Sequence, residues 1–132
     1  MKYWLFLSVF CFSFVGPSQR TPEEIVQENL DFYNKGDIEG FMTSFSDDIA
    51  LFEFGKATPS YQGLDAIRKV YTRLFNSSPE LYSTILHRAV MGNKVIDHES
   101  ITGRNGKTEP LELVLIYEVN NQKISKMTVI RK

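Results

Sequence analysis

The chain has 132 residues, of which 42% are hydrophobic and 23% are charged, and its formal net charge is −1 at pH 7. This length suits one domain and is too short for two ordinary ones, and the composition favours a packed core over a disordered chain. Nucleic acids are bound through concentrated Lys and Arg, and the sequence contains no such block. We therefore expect one globular domain and no nucleic-acid partner.

Residues 1–18 differ in composition from the rest of the chain. Lys2 supplies a positive start, residues 3–15 are almost wholly apolar, and residues 16–18 resemble a cleavage region. The apolar run is shorter than the roughly 20 residues that a membrane span needs. We predict a cleaved signal peptide over residues 1–18, a secreted or periplasmic domain over residues 19–132, and no membrane contact after cleavage. An uncleaved anchor is the alternative.

Cys11 is the only cysteine and lies in the predicted signal peptide. The cleaved protein would have no disulfide, so its stability must come from packing. Zinc sites built on cysteine and thiol nucleophiles are excluded as well.

The first predicted helix begins and ends with clear signals. Thr21 is suited to the N-cap, Pro22 to the first helical position and Glu24 to a capping box. Gly36 can adopt the left-handed backbone conformation that ends a helix after its last turn.

Two more helices are predicted before the strand-rich part of the chain. Asp37 caps a short second helix, which residues 46–48 end before a strand over residues 49–54. Apolar residues recur at helical spacing between Leu64 and Phe75, which predicts the third helix.

From Leu81 onward the pattern is that of strands. Apolar runs are separated by Gly92-Asn93, Asn105-Gly106 and Asn120-Asn121, residues that tolerate the positive φ of tight hairpins. We predict a four-strand antiparallel meander. Three helices packed on one face of a curved, mainly antiparallel sheet form a two-layer α+β domain with a cone-shaped cavity between the layers.

Four short motifs add a family resemblance: KGDIEGF at 35–41, FSDDI at 45–49, YQGLDAIR at 61–68 and VIDHESITG at 95–103. Together they resemble the nuclear-transport-factor-2-like (NTF2-like) superfamily, in particular its SnoaL-like and ketosteroid-isomerase-like branch. The resemblance implies a cone-shaped NTF2-like domain over residues 19–132. The superfamily contains isomerases, cyclases, dehydratases, hydrolases and binding domains, so the fold alone does not choose a function.

The resemblance implies that Glu53 occupies the position of the proton-moving acid of ketosteroid isomerases. Glu53 shares its predicted strand face with Ile49 and Leu51. Apolar surroundings would desolvate the carboxylate and make it a better proton acceptor near neutral pH. The alternative is an ion pair with Arg or Lys of a neighbouring strand or of the third helix.

The oxyanion-binding residues of ketosteroid isomerases are not found at the matching positions of this sequence. The oxyanion-binding Tyr falls near Asn29 and the oxyanion-binding acid near Leu115, so two converging donors are missing and ketosteroid isomerisation is not expected. Tyr33 or Tyr117 could replace one donor. We count Tyr33, Leu115 and Tyr117 as ligand-binding candidates, although such tyrosines are more often core aromatics with the hydroxyl at a cavity rim.

The two histidines are a further pair of candidates. A two-residue loop at Gly92-Asn93 places His87 opposite His98 and Arg88 opposite Asp97. Paired imidazoles can bind a metal or share a proton. No third ligand is evident in the sequence, so we predict no metal and no cofactor, and count both histidines as ligand-binding candidates; the alternative is that they are ordinary sheet residues.

Glu99 and Glu112 pose a register problem. A simple hairpin at Asn105-Gly106 would place these two acids opposite one another, where they repel. A bulge, a longer loop or a protonated acid would each relieve the repulsion.

We predict that the domain binds a small, largely apolar molecule in the cavity, without an intact ketosteroid-isomerase catalytic set. The alternative is an isomerase, cyclase or hydrolase that uses Glu53 as general acid or base. Apolar residues alternate on both faces of residues 113–119, which predicts a homodimer.

Overall fold

The computed structural model describes residues 11–16 and 18–132. Most of the predicted signal peptide, residues 1–10 and residue 17, lies outside the described residues. Among the helices that are described, none is long and apolar enough to cross a membrane.

The three predicted helices are confirmed as α1 (Pro22–Lys35), α2 (Ile38–Met42) and α3 (Leu64–Ser77). Thr21 and Glu24 form the predicted capping box at the start of α1, and Gly36 ends this helix with a φ of 66°. The Asp37 side chain caps α2 by accepting a hydrogen bond of 3.0 Å from the backbone N–H of Gly40.

Six strands form one sheet in the order β2-β1-β6-β5-β4-β3. Only the β1–β6 pair is parallel among the strand pairs of this sheet, and the last four strands are the predicted antiparallel meander. The strands are β1 (Phe45–Glu53), β2 (Tyr61–Gln62), β3 (Tyr82–Met91), β4 (Lys94–Thr102), β5 (Leu111–Asn120) and β6 (Lys123–Arg131). The predicted α+β class, with three helices and a curved, mainly antiparallel sheet, is confirmed.

The boundary between α2 and β1 was predicted wrongly. The strand begins at Phe45 rather than Ile49, and its pairing with β6 shifts between Phe45 and Ala50. The polar residues 46–48 therefore lie in an irregular part of the strand, where Ser46 Oγ donates a hydrogen bond of 2.7 Å to Asp48 Oδ1. Such a bulge lets turn-forming residues remain in a strand.

The β3–β4 register is confirmed, with His87 opposite His98 and Arg88 opposite Asp97. The connection from β4 to β5 is longer than a simple hairpin and contains a 3₁₀ turn over Arg104–Gly106. Glu99 therefore lies opposite Leu113, and Glu112 opposite Ser100. The longer loop, one of the three predicted ways to relieve the repulsion between these acids, therefore separates them.

The helices cover one face of the sheet. On β4 the buried residues alternate with half-buried ones, so that Val95, Asp97, Glu99 and Ile101 face the helices. Two of these four inward positions carry acids, which is unusual for a core because a buried charge must be paired or neutralised.

Candidate ligand-binding cavity

A cavity of about 250 Å³ lies between the helices and the inner face of the sheet. This volume is close to the lower end of the range for small-molecule sites, about 300–1,000 Å³. Helices supply Tyr33, Phe41 and Tyr71 to its wall, and the strands supply Leu113, Leu115 and Met127. The polar lining residues, besides the tyrosines, are Asn29, Glu53, Ser60, Glu99, Arg104 and Arg131.

Aromatic rings from all three helices form one side of the cavity. The ring centroids of Phe41 and Tyr71 are 4.5 Å apart, and those of Tyr33 and Phe75 are 5.6 Å apart at a near-perpendicular angle. Edge-to-face packing of this kind holds large rings in fixed orientations. Burial raises the pKa of Tyr71 to about 12 and also raises that of Tyr33, so both hydroxyls stay protonated at neutral pH.

Glu99 is the buried acid of the cavity, with 5% of its surface exposed. Ser83 Oγ donates a hydrogen bond of 3.0 Å to Glu99 Oε2, and the Tyr117 hydroxyl donates one of 3.4 Å to Oε1. Burial raises the pKa of Glu99 to about 7, assisted by the nearby charge of Asp97 and opposed by both hydrogen bonds. The carboxyl can therefore accept or release a proton near neutral pH.

Asp97, the neighbouring inward acid, is fully paired. Arg88 donates from Nε to Asp97 Oδ1 at 2.7 Å and from Nη2 to Oδ2 at 2.9 Å, and its Nη1 reaches Gln27 Oε1 at 2.8 Å. The bidentate hydrogen bond raises the pKa of Arg88. The two acids of β4 thus differ in role: Asp97 holds β3 and β4 together, and Glu99 faces the cavity.

Glu53 lies at the open edge of the cavity, where it forms an ion pair with Arg131 of β6. The side chains of this pair are 37% and 38% exposed. The prediction that Glu53 has apolar surroundings is therefore wrong. The alternative, an ion pair with a basic residue of a neighbouring strand, describes this side chain. The reason is that β1 is paired with β6 in parallel, which brings the ends of both strands together.

The structure brings Tyr33, Glu53, Leu115 and Tyr117 together around the cavity. The two histidines are elsewhere.

His87 and His98 lie on the outer face of the sheet, because they alternate with the inward residues of their strands. His87 is exposed, and His98 Nε2 lies 3.2 Å from Glu112 Oε2. Within residues 11–16 and 18–132, no group of three or more metal-ligating side chains is found.

Asn29 occupies the place at which the resemblance puts an oxyanion-binding Tyr. It is buried in the cavity wall, and its Nδ2 donates a hydrogen bond of 3.2 Å to the backbone oxygen of Phe41. Asn29 therefore ties α1 to α2.

Sequence reasoning did not select Glu99 or Arg104 as site residues. For Glu99 a signal was available, because residues 95–101 alternate with Val95 and Ile101 on the same face as the acid. Arg104 could not be found in this way, since it lies in a loop without periodicity.

The sequence profile of the SnoaL-like domain family matches residues 26–127. The chain belongs to the SnoaL-like domain family. Among curated proteins, none matches the sequence. For this SnoaL-like protein the expected superfamily and fold are therefore confirmed.

Solved structures resemble this SnoaL-like domain at low sequence identity. An uncharacterised cystatin-fold protein from Novosphingobium aromaticivorans has a TM-score of 0.77 and 20% identity, over 85% of this chain and 99% of that one. An NTF2-like protein of unknown function from Cytophaga hutchinsonii has a TM-score of 0.73 and 14% identity, over 89% and 95%. An epoxide hydrolase from Mycobacterium tuberculosis has a TM-score of 0.72 and 12% identity, over 84% and 82%. These similarities establish an NTF2-like fold.

Proposed function

We propose that this SnoaL-like domain binds a small, largely apolar molecule between its helices and its sheet. The observation that carries the proposal is the cavity of about 250 Å³, which is lined by aromatic and aliphatic side chains together with several polar ones. A concave apolar site with a small number of oriented polar groups is the usual form of a small-molecule site.

A titration with 3-phenylpropanol, an uncharged aromatic probe, tests this proposal. We expect saturable binding to residues 19–132 by calorimetry or by NMR. Leu115→Trp should weaken binding at least about tenfold, because the larger side chain fills the cavity. Lys69→Trp is the matched control, since Lys69 is exposed on α3 and does not line the cavity.

Unchanged affinity in a folded Leu115→Trp protein would show that the probe binds elsewhere. If neither 3-phenylpropanol nor its carboxylate analogue 3-phenylpropionate binds to the wild type, the proposal is wrong.

A second candidate function is acid–base catalysis in the same cavity. Glu99 favours it, because this acid is buried, lines the cavity and has its pKa raised to about 7. The acid or base of the predicted enzyme is then Glu99 rather than Glu53, whose carboxylate is held by Arg131. The neighbour that is an epoxide hydrolase suggests epoxides as one class to screen, beside apolar carbonyl compounds.

If such a screen finds turnover, Glu99→Gln should abolish it while Glu53→Gln retains most of it. If turnover is lost in Glu53→Gln and retained in Glu99→Gln, Glu53 is the general acid or base. Turnover that persists in both variants would exclude either acid.

We also propose that the protein is exported after cleavage of residues 1–18 and that it forms a homodimer. The dimer proposal is supported by the outer face of the sheet, which points away from the helices. Half-buried apolar side chains on that face are Ile96, Val114, Ile116 and Ile130.

A further inference from the structure

Arg104 is a cation of the cavity wall that has no partner among the described residues. It lines the cavity and is half-buried. Its guanidinium makes no hydrogen bond or ion pair with any residue in the described part of the chain. An unpaired guanidinium in this position has unused donors, because it carries five N–H groups.

The loop that carries Arg104 is held in place by the end of α3. The backbone N–H of Asn105 donates to Ser78 Oγ at 2.8 Å, and Ser77 Oγ donates to Asn105 Oδ1 at 2.8 Å. Gly103, with a φ of 74°, packs so closely on the carbonyl of Glu80 that a Cβ there would lie 2.1 Å from its oxygen. Arg104 is therefore presented to the cavity by an ordered turn.

The charges at this end of the cavity do not balance. Strands β1, β6 and β4 run in the same direction, so Glu53, Arg131 and the loop after β4 lie at one end of the sheet. Glu53 pairs with Arg131, which leaves Arg104 as the uncompensated charge of the three. The positive charge of Arg104 also reaches Tyr33 and Tyr71 and lowers their pKa values, against the larger effect of burial.

An apolar ligand that filled the cavity would displace water from Arg104 without replacing the hydrogen bonds that this water makes. Desolvating an unpaired charge in this way is unfavourable. A ligand with a carboxylate would offset that cost through a charge-assisted, bidentate hydrogen bond. We infer that the cavity is specific for small carboxylic acids, whose apolar body lies against the aromatic wall and whose carboxylate pairs with Arg104. This inference rests on the proposed binding function and names its ligand class.

Glu99 sets the orientation of such a ligand. Its carboxyl is enclosed among Ser83 and Tyr117 inside the cavity. A second carboxylate beside it would be repelled or would have to share a proton. The acid group of the ligand therefore points to Arg104, and a neutral part of the ligand faces Glu99.

The test compares two probes that differ in one group, 3-phenylpropionate and 3-phenylpropanol, on residues 19–132. We expect the carboxylate to bind about tenfold more tightly than the alcohol at low salt. The preference should shrink as salt is added, because the pair is only partly buried. Arg104→Met should remove the preference, because it lowers the affinity for the carboxylate and also removes the cost of desolvating the guanidinium when the alcohol binds.

Arg73→Met is the matched control, because Arg73 is exposed on α3 and does not line the cavity. It should retain the preference.

Equal affinity of the wild type for the two probes, or tighter binding of the alcohol, would overturn this inference while the proposed binding function stands. Binding of neither probe would overturn both. The wild-type comparison is independent of whether Arg104→Met folds.

Discussion

The Tyr117 hydroxyl donates a hydrogen bond of 3.4 Å to Glu99 Oε1, and both side chains line the cavity. Burial raises the pKa of Tyr117 well above its ordinary value of 10, so the hydroxyl remains a donor. A buried carboxyl beside a permanent donor can exist in either protonation state near neutral pH. The pair therefore places a group that can gain or lose a proton beside a fixed hydrogen-bond donor inside the cavity.

The first prediction concerns the pH dependence of stability. The pKa of Glu99 is about 7 in the folded state against an ordinary value of 4.5, so the folded state binds this proton more tightly than the unfolded state. The contribution of Glu99 to the free energy of unfolding is greatest below pH 4.5 and is lost as the pH rises to about 7. We expect this group to lower the stability by about 2 to 3 kcal/mol between pH 5 and pH 8.

Urea unfolding at the two pH values measures the effect. Glu99→Gln should lose this component of the pH dependence, whereas Glu109→Gln, which changes an exposed loop residue, should keep it. An identical pH dependence in the wild type and in Glu99→Gln would contradict the assignment.

The second prediction concerns the ion pair of Arg88 and Asp97, whose side chains are 13% and 0% exposed. Asp97→Asn should lower the free energy of unfolding by about 3 kcal/mol, because it leaves a poorly solvated cation without its partner. The double variant Arg88→Met with Asp97→Leu should be more stable than Asp97→Asn, since it removes both charges.

Chemical denaturation of these variants is the measurement. Glu118→Gln is the control, because Glu118 contacts Lys94 and Lys126 at 3.9 and 3.6 Å on the outer surface and should contribute less than about 1 kcal/mol. If Asp97→Asn lowers the free energy of unfolding no more than the control does, the buried ion pair is not needed for stability.

The third prediction concerns the turn that carries Arg104. Gly103→Ala adds a Cβ that would lie 2.1 Å from the Glu80 oxygen, and it also places a side chain at a φ of 74°. The combined cost should be about 3 kcal/mol. Gly92→Ala shares a positive φ of 58° but meets nothing within 4 Å, so it should cost only about 1 kcal/mol.

Thermal and urea unfolding compare the two alanine variants. Equal losses would indicate that the close approach of Gly103 to the Glu80 carbonyl does not constrain the turn.

The fourth prediction concerns the proposed homodimer. Sedimentation of residues 19–132 at micromolar concentration should give the dimer mass. Ile116→Lys should shift the protein to monomer, because it places a charge among the half-buried apolar side chains of the outer sheet face. Thr72→Lys, on α3, should leave the dimer intact. A monomer mass for the wild type would contradict the proposal.

The fifth prediction concerns export. Amino-terminal sequencing of protein recovered from outside the cytoplasm should begin at residue 19. Leu7→Arg should abolish processing, because it interrupts the apolar run of residues 3–15. Recovery of exported protein that still begins at residue 1 would contradict cleavage.

Local signals in the sequence determined the elements of this protein. The caps of α1 and α2 depend on neighbouring residues, as does the two-residue loop that sets His87 opposite His98. These features were predictable because each involves atoms only a few residues apart in the chain. The motifs likewise sufficed for the superfamily, which the family match confirmed.

The candidate site was decided by tertiary structure. Glu53 acquires its partner only because parallel pairing joins the ends of β1 and β6, which are 78 residues apart at that contact. Glu99 becomes the buried acid because it alternates with Val95 and Ile101 on the inner face of β4 and the helices cover that face. The protonation of an acid depends on the solvent and charges around it in space. The sequence therefore determined which strands carry the acids, and packing decided which acid is enclosed in the cavity and which is neutralised at its edge.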